Sequence, residues 1–278
     1  TATVTVTGVG NYAGVQEKQF TINRAIPNVT WAHPEAIVYG LALSVIQLNA
    51  TANVLGSFIY TPSAGSVLDA GEGHVIRVAF TPEDGVNWTE GKATVELTVR
   101  KAPQVIEFSN PGPKAYTDVF VPVATGGGSG NEVTFAIASG LATIGAGNQV
   151  SFSGVGEVTI TASQAGNANY EAADAVSQTF VVSQAVAQVI LSSLTHVYDG
   201  TEKSATVTTN PPDLAVHITY DGREDHPLSA GTYAVMATVA DPHFAGAAEG
   251  NLVISRRAAA ITLENKTKTY GAVDPALT

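Results

Sequence analysis

The chain contains 278 residues, of which 45% are hydrophobic and only 13% are charged, and its formal net charge is −11. This acidic balance argues against binding to nucleic acids or to anionic membrane surfaces. The absence of cysteine excludes disulfide bonds and thiolate metal sites. No apolar run approaches the ~20 residues that a membrane-spanning helix needs, so we expect no membrane insertion.

A turn with an aromatic residue follows the first strand-like stretch, TATVTVTG, and returns three more times along the chain. These corner aromatics are Tyr12, Trp88, Tyr170 and Phe244. An apolar strand follows each of them and ends at a short boundary such as RKAP or SQAVA. A second marker comes after each boundary: Tyr39, Tyr116, Tyr198 and Tyr270. Both markers have the same period, which indicates an internal repeat of about 75–80 residues.

The period divides the chain into five segments. Residues 1–24 are expected to be the C-terminal part of a preceding repeat, with strands at 2–7 and 18–22. Three whole repeats follow, which we call repeat 1 (25–101), repeat 2 (102–184) and repeat 3 (185–257). Residues 258–278 are expected to start a following repeat, with a first strand at 260–264. Both terminal segments are therefore expected to be parts of domains from a longer array.

Alternating stretches such as HVIRVAFT and EVTITAS occur in every repeat and are bounded by Gly, Asn, Asp or Pro. No amphipathic pattern of helical length is found. Short strands in a unit of this size, with frequent turn signals, are typical of immunoglobulin-like β-sandwiches. We therefore predict an all-β protein of tandem immunoglobulin-like β-sandwich domains in an extended array. Strands should make up at least about 45% of it, and no helix should exceed two turns.

Five aromatic residues are predicted to be mostly buried structural core markers, because they occupy matching positions of the repeats. Trp31 and Phe108 lie seven or eight residues before the marker tyrosines, on a predicted core strand. Trp88, Tyr170 and Phe244 lie at the corner before the last strand, where an aromatic residue of such sandwiches packs inward. Short boundaries leave little slack between domains, which predicts a semi-rigid array.

Several stretches resemble known bacterial repeats. Residues 197–255, from VYDGTEKS to NLVIS, resemble MBG-type immunoglobulin-like repeats, and KTYGAVDPALT resembles the start of their YG-type variant. Residues 2–22 and 102–184 resemble related repeats. The resemblance implies tandem modules of large exported or surface-anchored bacterial proteins such as adhesins, where they serve as stalks. It implies an extracellular or cell-surface location and no catalytic residues.

No motif indicates a catalytic site, so we expect no enzymatic activity and no cofactor. The six His residues show no metal-ligand spacing, and P-loop and nucleophile-elbow motifs are absent. The glycine-rich run ATGGGSGNEV (124–133) lacks the following Lys-Ser/Thr of a phosphate loop and is interpreted as a flexible loop. Within DGREDHPL, Asp221 and Asp225 are candidate calcium ligands, and the alternative is a solvated hairpin turn.

The expected function is therefore structural, with neighbouring repeats of the same chain as the first partners. Identical chains in a fibre, or a host or cell-surface ligand bound through other domains, are further expected partners. Two alternatives are a ligand-binding adhesin module for glycan or protein, and a non-catalytic arm of an extracellular enzyme. Both tryptophans already have structural assignments, which weighs against sugar stacking. N-x-T sequons occur at Asn28, Asn49, Asn87 and Asn265.

Overall fold

A computed structural model describes residues 1–262 and 265–275. Strands make up 47% of the chain, which confirms the predicted all-β class. Within the described residues the helical structure is one 3-10 turn at Ala146–Asn148, and no helix there has the length and apolar character needed to cross a bilayer. Of the strand expected at 260–264, residues 260–262 are not in a strand, and 263 and 264 lie outside the described residues.

The chain divides into two compact units, and the division passes through repeat 2. Unit 1 consists of Thr1–Asn110, Pro122–Ala136 and Ile160–Gln178. Unit 2 consists of Pro111–Val121, Ile137–Thr159 and Thr179–Thr278.

The first segment of unit 1 is an antiparallel hairpin. Its strands are β1 (Ala2–Thr7) and β2 (Val15–Phe20), and Ala2 lies opposite Phe20. The second strand therefore begins and ends earlier than the predicted 18–22. Almost every side chain of the hairpin is exposed, because two strands have no second layer to bury them.

Repeat 1 lies in unit 1 and contains six strands: β3 (Val29–Thr30), β4 (Ile37–Val38), β5 (Thr51–Ala52), β6 (Gly56–Thr61), β7 (Gly71–Pro82) and β8 (Gly91–Arg100). A four-stranded sheet has the order β4-β8-β7-β6, and its first pair is parallel. Strands β3 and β5 form a second, two-stranded sheet. The inward residues of β7 and β8 alternate with exposed ones, so Ile76 and Leu97 are fully buried in the core.

Repeat 2 contains eight strands: β9 (Glu107–Phe108), β10 (Lys114–Ala115), β11 (Ala124–Thr125), β12 (Val133–Ser139), β13 (Ala142–Ile144), β14 (Val150–Phe152), β15 (Gly156–Gln164) and β16 (Val176–Ser183). Its four-stranded sheet has the order β10-β16-β15-β12. On the unit 1 side, the rings of Phe108 and Phe135 lie 5.4 Å apart. On the unit 2 side, Phe120, Phe152 and Phe180 form an aromatic cluster.

Repeat 3 lies in unit 2 and contains eight strands: β17 (Ala185–Val186), β18 (Gln188–Ser192), β19 (Thr195–Val197), β20 (Thr206–Asn210), β21 (Val216–Tyr220), β22 (Gly231–Val239), β23 (Phe244–Ala245) and β24 (Ala247–Ser255). Its four-stranded sheet has the order β19-β24-β22-β21, and β18 pairs with β20. Tyr220 is buried and its hydroxyl accepts the Ala205 N–H at 2.9 Å. The same bond joins the Tyr60 hydroxyl and the Ala50 N–H in repeat 1.

One sheet topology therefore occurs three times. In each case a short strand runs parallel to the last strand of the repeat, at the edge of a four-stranded sheet. The marker tyrosine comes directly after this short strand. Of the predicted core markers, Phe108 is 5% exposed. The other four are partly buried: Trp31, Trp88, Tyr170 and Phe244.

Candidate inter-repeat junction sites

The connection between repeats 1 and 2 has almost no slack. Strand β8 ends at Arg100, and Ala102 is already bonded to the corner turn of repeat 2. The Ala102 N–H donates to the Asn169 carbonyl at 2.9 Å, and the Glu171 N–H donates to the Ala102 carbonyl at 2.9 Å. A single residue, Lys101, therefore joins the last strand of one repeat to a backbone site on the next.

The bond from an alanine N–H to a corner turn also occurs at the two other boundaries, although residues 21–24 separate the end of β2 from Ala25 at the first of them. Between β16, which ends at Ser183, and Ala185 lies only Gln184, and the Ala185 N–H donates to the His243 carbonyl at 2.9 Å. At the start of repeat 1, the Ala25 N–H donates to the Asn87 carbonyl at 2.8 Å. In all three cases the acceptor is the carbonyl of the residue before the corner aromatic.

The side chain of the residue before each alanine also binds the corner turn. The Arg24 Nη1 donates to the Gly85 carbonyl at 3.1 Å, and the Lys101 Nζ donates to the Asn167 carbonyl at 2.7 Å. The Gln184 Nε2 donates to the Asp241 carbonyl at 3.1 Å. Each acceptor lies three residues before its corner aromatic. The three boundaries therefore use one geometry with three different donor side chains.

Aromatic rings meet across two of these boundaries. Tyr39 of repeat 1 makes an edge-to-face contact with Tyr170 of repeat 2, with centroids 5.4 Å apart and planes at 75°. Tyr116 of repeat 2 makes an edge-to-face contact with Phe244 of repeat 3 at 5.6 Å and stacks on His243 at 4.4 Å. Such pairs are worth about 0.5–1.5 kcal/mol beyond the area that they bury. The two marker series of the sequence therefore contact each other between adjacent repeats.

Backbone hydrogen bonds fix the marker tyrosines. The Tyr39 N–H donates to the Arg100 carbonyl at 2.8 Å, and the Tyr116 N–H donates to the Ser183 carbonyl at 2.9 Å. Both acceptors are the last residue of the last strand. Each ring therefore lies at the end of its sheet, next to the connection to the following repeat.

Asn169 adds a polar contact between repeats 1 and 2. Its Oδ1 accepts the Ala70 N–H at 2.8 Å, and its Nδ2 donates to the Asp69 carboxylate at 3.0 Å. Asn167 holds the turn, because its Oδ1 accepts the N–H groups of Asn169 and Tyr170 at 2.8 and 2.9 Å. This arrangement is an Asx turn, in which a short polar side chain replaces backbone acceptors.

Acidic side chains stabilise the equivalent turns of repeats 1 and 3. The Asp241 carboxylate accepts the His243 N–H at 2.7 Å. The Asp84 carboxylate accepts the side-chain amide of Asn87 at 2.8 Å and the backbone N–H groups of Asn87 and Val86. These bonds stabilise the charged carboxylate and therefore lower the pKa of Asp84. The side-chain amide of Asn87 has the largest effect, and the backbone N–H donors add to it.

Two buried amide side chains anchor the glycine-rich run that was interpreted as a flexible loop. Gln164 is 3% exposed and accepts the Gly127 N–H at 2.7 Å, and Gln104 is 9% exposed and accepts the Ser129 N–H at 2.9 Å. A Cβ atom at Gly128 would collide with the ring of Tyr170. Glycine is required there because the backbone packs directly on this ring. The run is therefore an anchored part of the junction, which corrects the predicted flexibility.

The candidate calcium ligands lie elsewhere, at the end of β21. Asp221 has a positive φ of 47°, and its Oδ1 accepts the Ala234 N–H at 2.8 Å. Asp221 and Asp225 line a cleft of about 410 Å³ that also contains Arg223 and His226. In residues 1–262 and 265–275, no group of three or more His, Cys, Asp or Glu side chains could hold a metal ion. The structure tests neither interpretation of the two aspartates, as calcium ligands or as part of a solvated hairpin turn, and we expect the turn.

Both tryptophans serve structural contacts. The Trp31 Nε1 donates to the Gln47 carbonyl at 3.0 Å, and its ring makes an edge-to-face contact with Tyr60 at 5.3 Å. Trp88 forms a parallel bridge with Ala25. Each therefore has a structural contact that does not involve a bound sugar.

Sequence reasoning found the two aromatic series but not their pairing, and it missed Asn169, Gln104 and Gln164. One available signal was the position of Asn169 directly before a corner aromatic, which Asn87 and His243 share. The two glutamines carried no such signal. They lie far apart in the sequence, on either side of the glycine-rich run, and only folding brings both of them to it.

Residues 187–258 match the family model of the MBG domain. This match confirms the resemblance of repeat 3 to MBG-type repeats. The comparison with curated proteins gave no match.

Among solved structures, the chain is similar to Drosophila N-cadherin EC1-3, with 12% identity and a TM-score of 0.30, over 81% of this chain and 99% of that one. Drosophila N-cadherin EC1-4 gives 11% identity and a TM-score of 0.26, over 70% and 63% of the two chains. The human desmocollin-1 ectodomain gives 9% identity and a TM-score of 0.25, over 83% of this chain and 61% of that one. The chain thus spans under two thirds of the last two structures, and similarity at these TM-scores carries no argument about function.

Proposed function

We propose that the chain is a structural spacer segment of an exported extracellular protein and has no catalytic activity of its own. The repeated junction geometry is the observation that carries this proposal. At three boundaries an alanine N–H is bonded to the next corner turn, and at two of them a single residue separates this alanine from the last strand before it. A binding module or an enzyme has no need for the same boundary three times, whereas a spacer that transmits force or orientation does.

The physical basis of the spacer is coupling between neighbouring repeats. In a linear array, stability is a sum of the stability of each repeat and the interactions between nearest neighbours. The Tyr39–Tyr170 ring pair, the Asn169 bonds and the Lys101 bond all contribute to the second term at the first boundary. An extracellular location fits the match to the MBG domain.

The alternative functions lack a comparable feature. A glycan-binding module would place tryptophan rings on an exposed surface, but both tryptophans are partly buried, and the Trp31 ring donates to the Gln47 carbonyl and contacts Tyr60. A catalytic role would rest on the titratable side chains of the cleft at Asp225, but the Asp221 carboxylate there accepts the Ala234 N–H and so serves the turn. We therefore assign neither ligand recognition nor catalysis to these features of the chain.

Distance measurements between spin labels test the coupling at each boundary separately. Because the chain contains no cysteine, two introduced cysteines react alone. Lys92→Cys with Asp174→Cys reports the boundary between repeats 1 and 2, and Glu157→Cys with Glu202→Cys reports the next one; all four positions are exposed. We expect one narrow distance distribution for each pair.

A matched variant with four glycines inserted after Lys101 should broaden the first distribution and leave the second unchanged. A label pair within one repeat controls for motion of the labels themselves. Broad distributions in the native chain, as wide as those of the glycine variant, would refute the spacer function. Hydrolytic turnover by the purified chain that a single Asp or His substitution abolishes would refute the absence of catalysis.

A further inference from the structure

The end of repeat 3 carries the same tyrosine geometry as the two junctions described above. The Tyr198 N–H donates to the carbonyl of Ser255, the last residue of β24, at 2.9 Å. The short strand before it pairs with the last strand in the same register, with Val197 opposite Ser255 as Val38 lies opposite Arg100 in repeat 1. The Tyr198 ring is therefore held where Tyr39 and Tyr116 are held, and it is 40% exposed.

A cavity of about 300 Å³ adjoins this ring, and we call it the Tyr198 socket. Its lining is Tyr198, Ser229, Ala230, Arg256 and Arg257. Ser229 and Ala230 directly precede the first residue of β22, just as Asp69 and Ala70 directly precede the first residue of β7. In repeat 1 these two residues bind the side chain of Asn169 from the following repeat. The socket therefore contains, in repeat 3, the two positions that contact the following repeat in repeat 1.

Arg256 also lines the socket, and its position corresponds to that of Lys101 and Gln184 at the two junctions. It follows directly after the last strand of repeat 3, as Lys101 follows β8 and Gln184 follows β16. Those two side chains donate to a carbonyl of the next corner turn. Arg256 carries the same kind of donor, and with Arg257 it brings positive charge to the socket.

We propose that the Tyr198 socket docks the corner turn of a following immunoglobulin-like repeat, a proposal that rests on the proposed spacer function. The occupant is an aromatic residue preceded by Asn or His. Its ring packs on Tyr198, and its polar neighbour accepts the Ala230 N–H. Arg256 donates to the carbonyl three residues before the aromatic residue.

Charge also favours this occupant. Corner turns of this chain contain acidic side chains at two of three boundaries, Asp84 and Asp241. The chain as a whole has a net charge of −11, whereas Arg256 and Arg257 bring positive charge to the socket. A turn with a carboxylate therefore complements the socket, and a basic surface does not.

An extended chain tests the proposal. Residues 1–257 are followed by a second copy of repeat 2 that begins at Ala102, so that every lining residue of the socket is kept and an alanine follows Arg257 as it does in the native chain. Hydrogen exchange followed by mass spectrometry measures the amide of Ala230 in a peptide that occurs once in the chain. We expect exchange about ten-fold slower than in the 278-residue chain, because docking pairs this N–H and covers it.

Two variants of the extended chain isolate the contact. Asn169→Ala in the added copy and Tyr198→Ala in the socket should each restore the fast exchange. The Ala70 amide, which lies in the existing junction between repeats 1 and 2, should stay unaffected by both. Equal exchange at Ala230 in all chains would overturn the docking proposal while leaving the spacer function, tested by spin labels, intact.

Two further outcomes are decisive. If amide protection shows that the added repeat 2 does not fold, a copy of repeat 1 beginning at Ala25 replaces it, and its Asn87–Trp88 turn must slow exchange at Ala230. A concentration-dependent dimer of the 278-residue chain, measured by sedimentation and lost in Trp88→Ala, would assign the socket to a second copy. That result would overturn a following repeat as the occupant.

Discussion

Replacement of Asn169 by alanine should weaken repeat 1, although Asn169 belongs to repeat 2. The substitution removes the bond from the Ala70 N–H at 2.8 Å and the bond to the Asp69 carboxylate at 3.0 Å. The backbone bond from Ala102 to the Asn169 carbonyl stays. Hydrogen bonds contribute about 0.5–1.5 kcal/mol each, and exposed partners regain water, so we expect a loss of about 1–2 kcal/mol.

Tryptophan fluorescence reports this loss selectively. Both tryptophans of the chain, Trp31 and Trp88, lie in repeat 1, so their signal follows the unfolding of that repeat. With a urea m-value of about 2 kcal/mol/M for a small domain, the midpoint should fall by about 0.5–1 M. The effect requires that repeat 2 is still folded when repeat 1 unfolds, which a circular dichroism trace recorded in parallel verifies.

A matched control removes another amide from repeat 2 away from the boundary. Gln178→Ala deletes the bond from Nε2 to the Phe108 carbonyl at 2.8 Å, which lies within repeat 2. It should leave the tryptophan midpoint unchanged. An unchanged midpoint in Asn169→Ala, or equal shifts in both variants, would refute the assignment of coupling to the junction.

Three further outcomes are expected. Gly128→Ala should destabilise repeat 2 by about 1–3 kcal/mol in calorimetry, because the new methyl group collides with the Tyr170 ring. Gly145→Ala should be neutral or slightly stabilising, because its φ is negative and the new methyl group makes only an ordinary contact, 3.8 Å from the Gln149 carbonyl oxygen. Asp84 has a lowered pKa in the folded state, so its charged form stabilises repeat 1 at neutral pH. This contribution is fully present above the unfolded-state pKa of about 4 and is lost as the pH falls further through the lowered folded-state pKa, so the midpoint difference between the native chain and Asp84→Asn should shrink over that range. Calorimetric titration with millimolar calcium should give no saturable heat, since the acidic cleft of repeat 3 also holds an arginine; a heat that Asp225→Asn removes would contradict this.

The sequence alone determined the secondary-structure class and the period of the repeat. Alternation of apolar and polar residues is local, and β7 shows it directly, with Ile76, Val78 and Phe80 buried between exposed neighbours. A repeated domain also repeats its turn and strand markers, so two aromatic series with one period were visible without coordinates. The MBG resemblance of repeat 3 was readable for the same reason.

Only the tertiary structure decided which markers meet. Tyr39 and Tyr170 belong to different repeats, and no local pattern specifies that the end of one sheet faces the corner turn of the next. The sequence assigned Tyr170 to the interior of its own sandwich, yet its ring lies between the glycine-rich run and Tyr39. Likewise, Gln164 gave no signal in the sequence, because the value of a buried amide depends on partners that folding brings to it from distant positions.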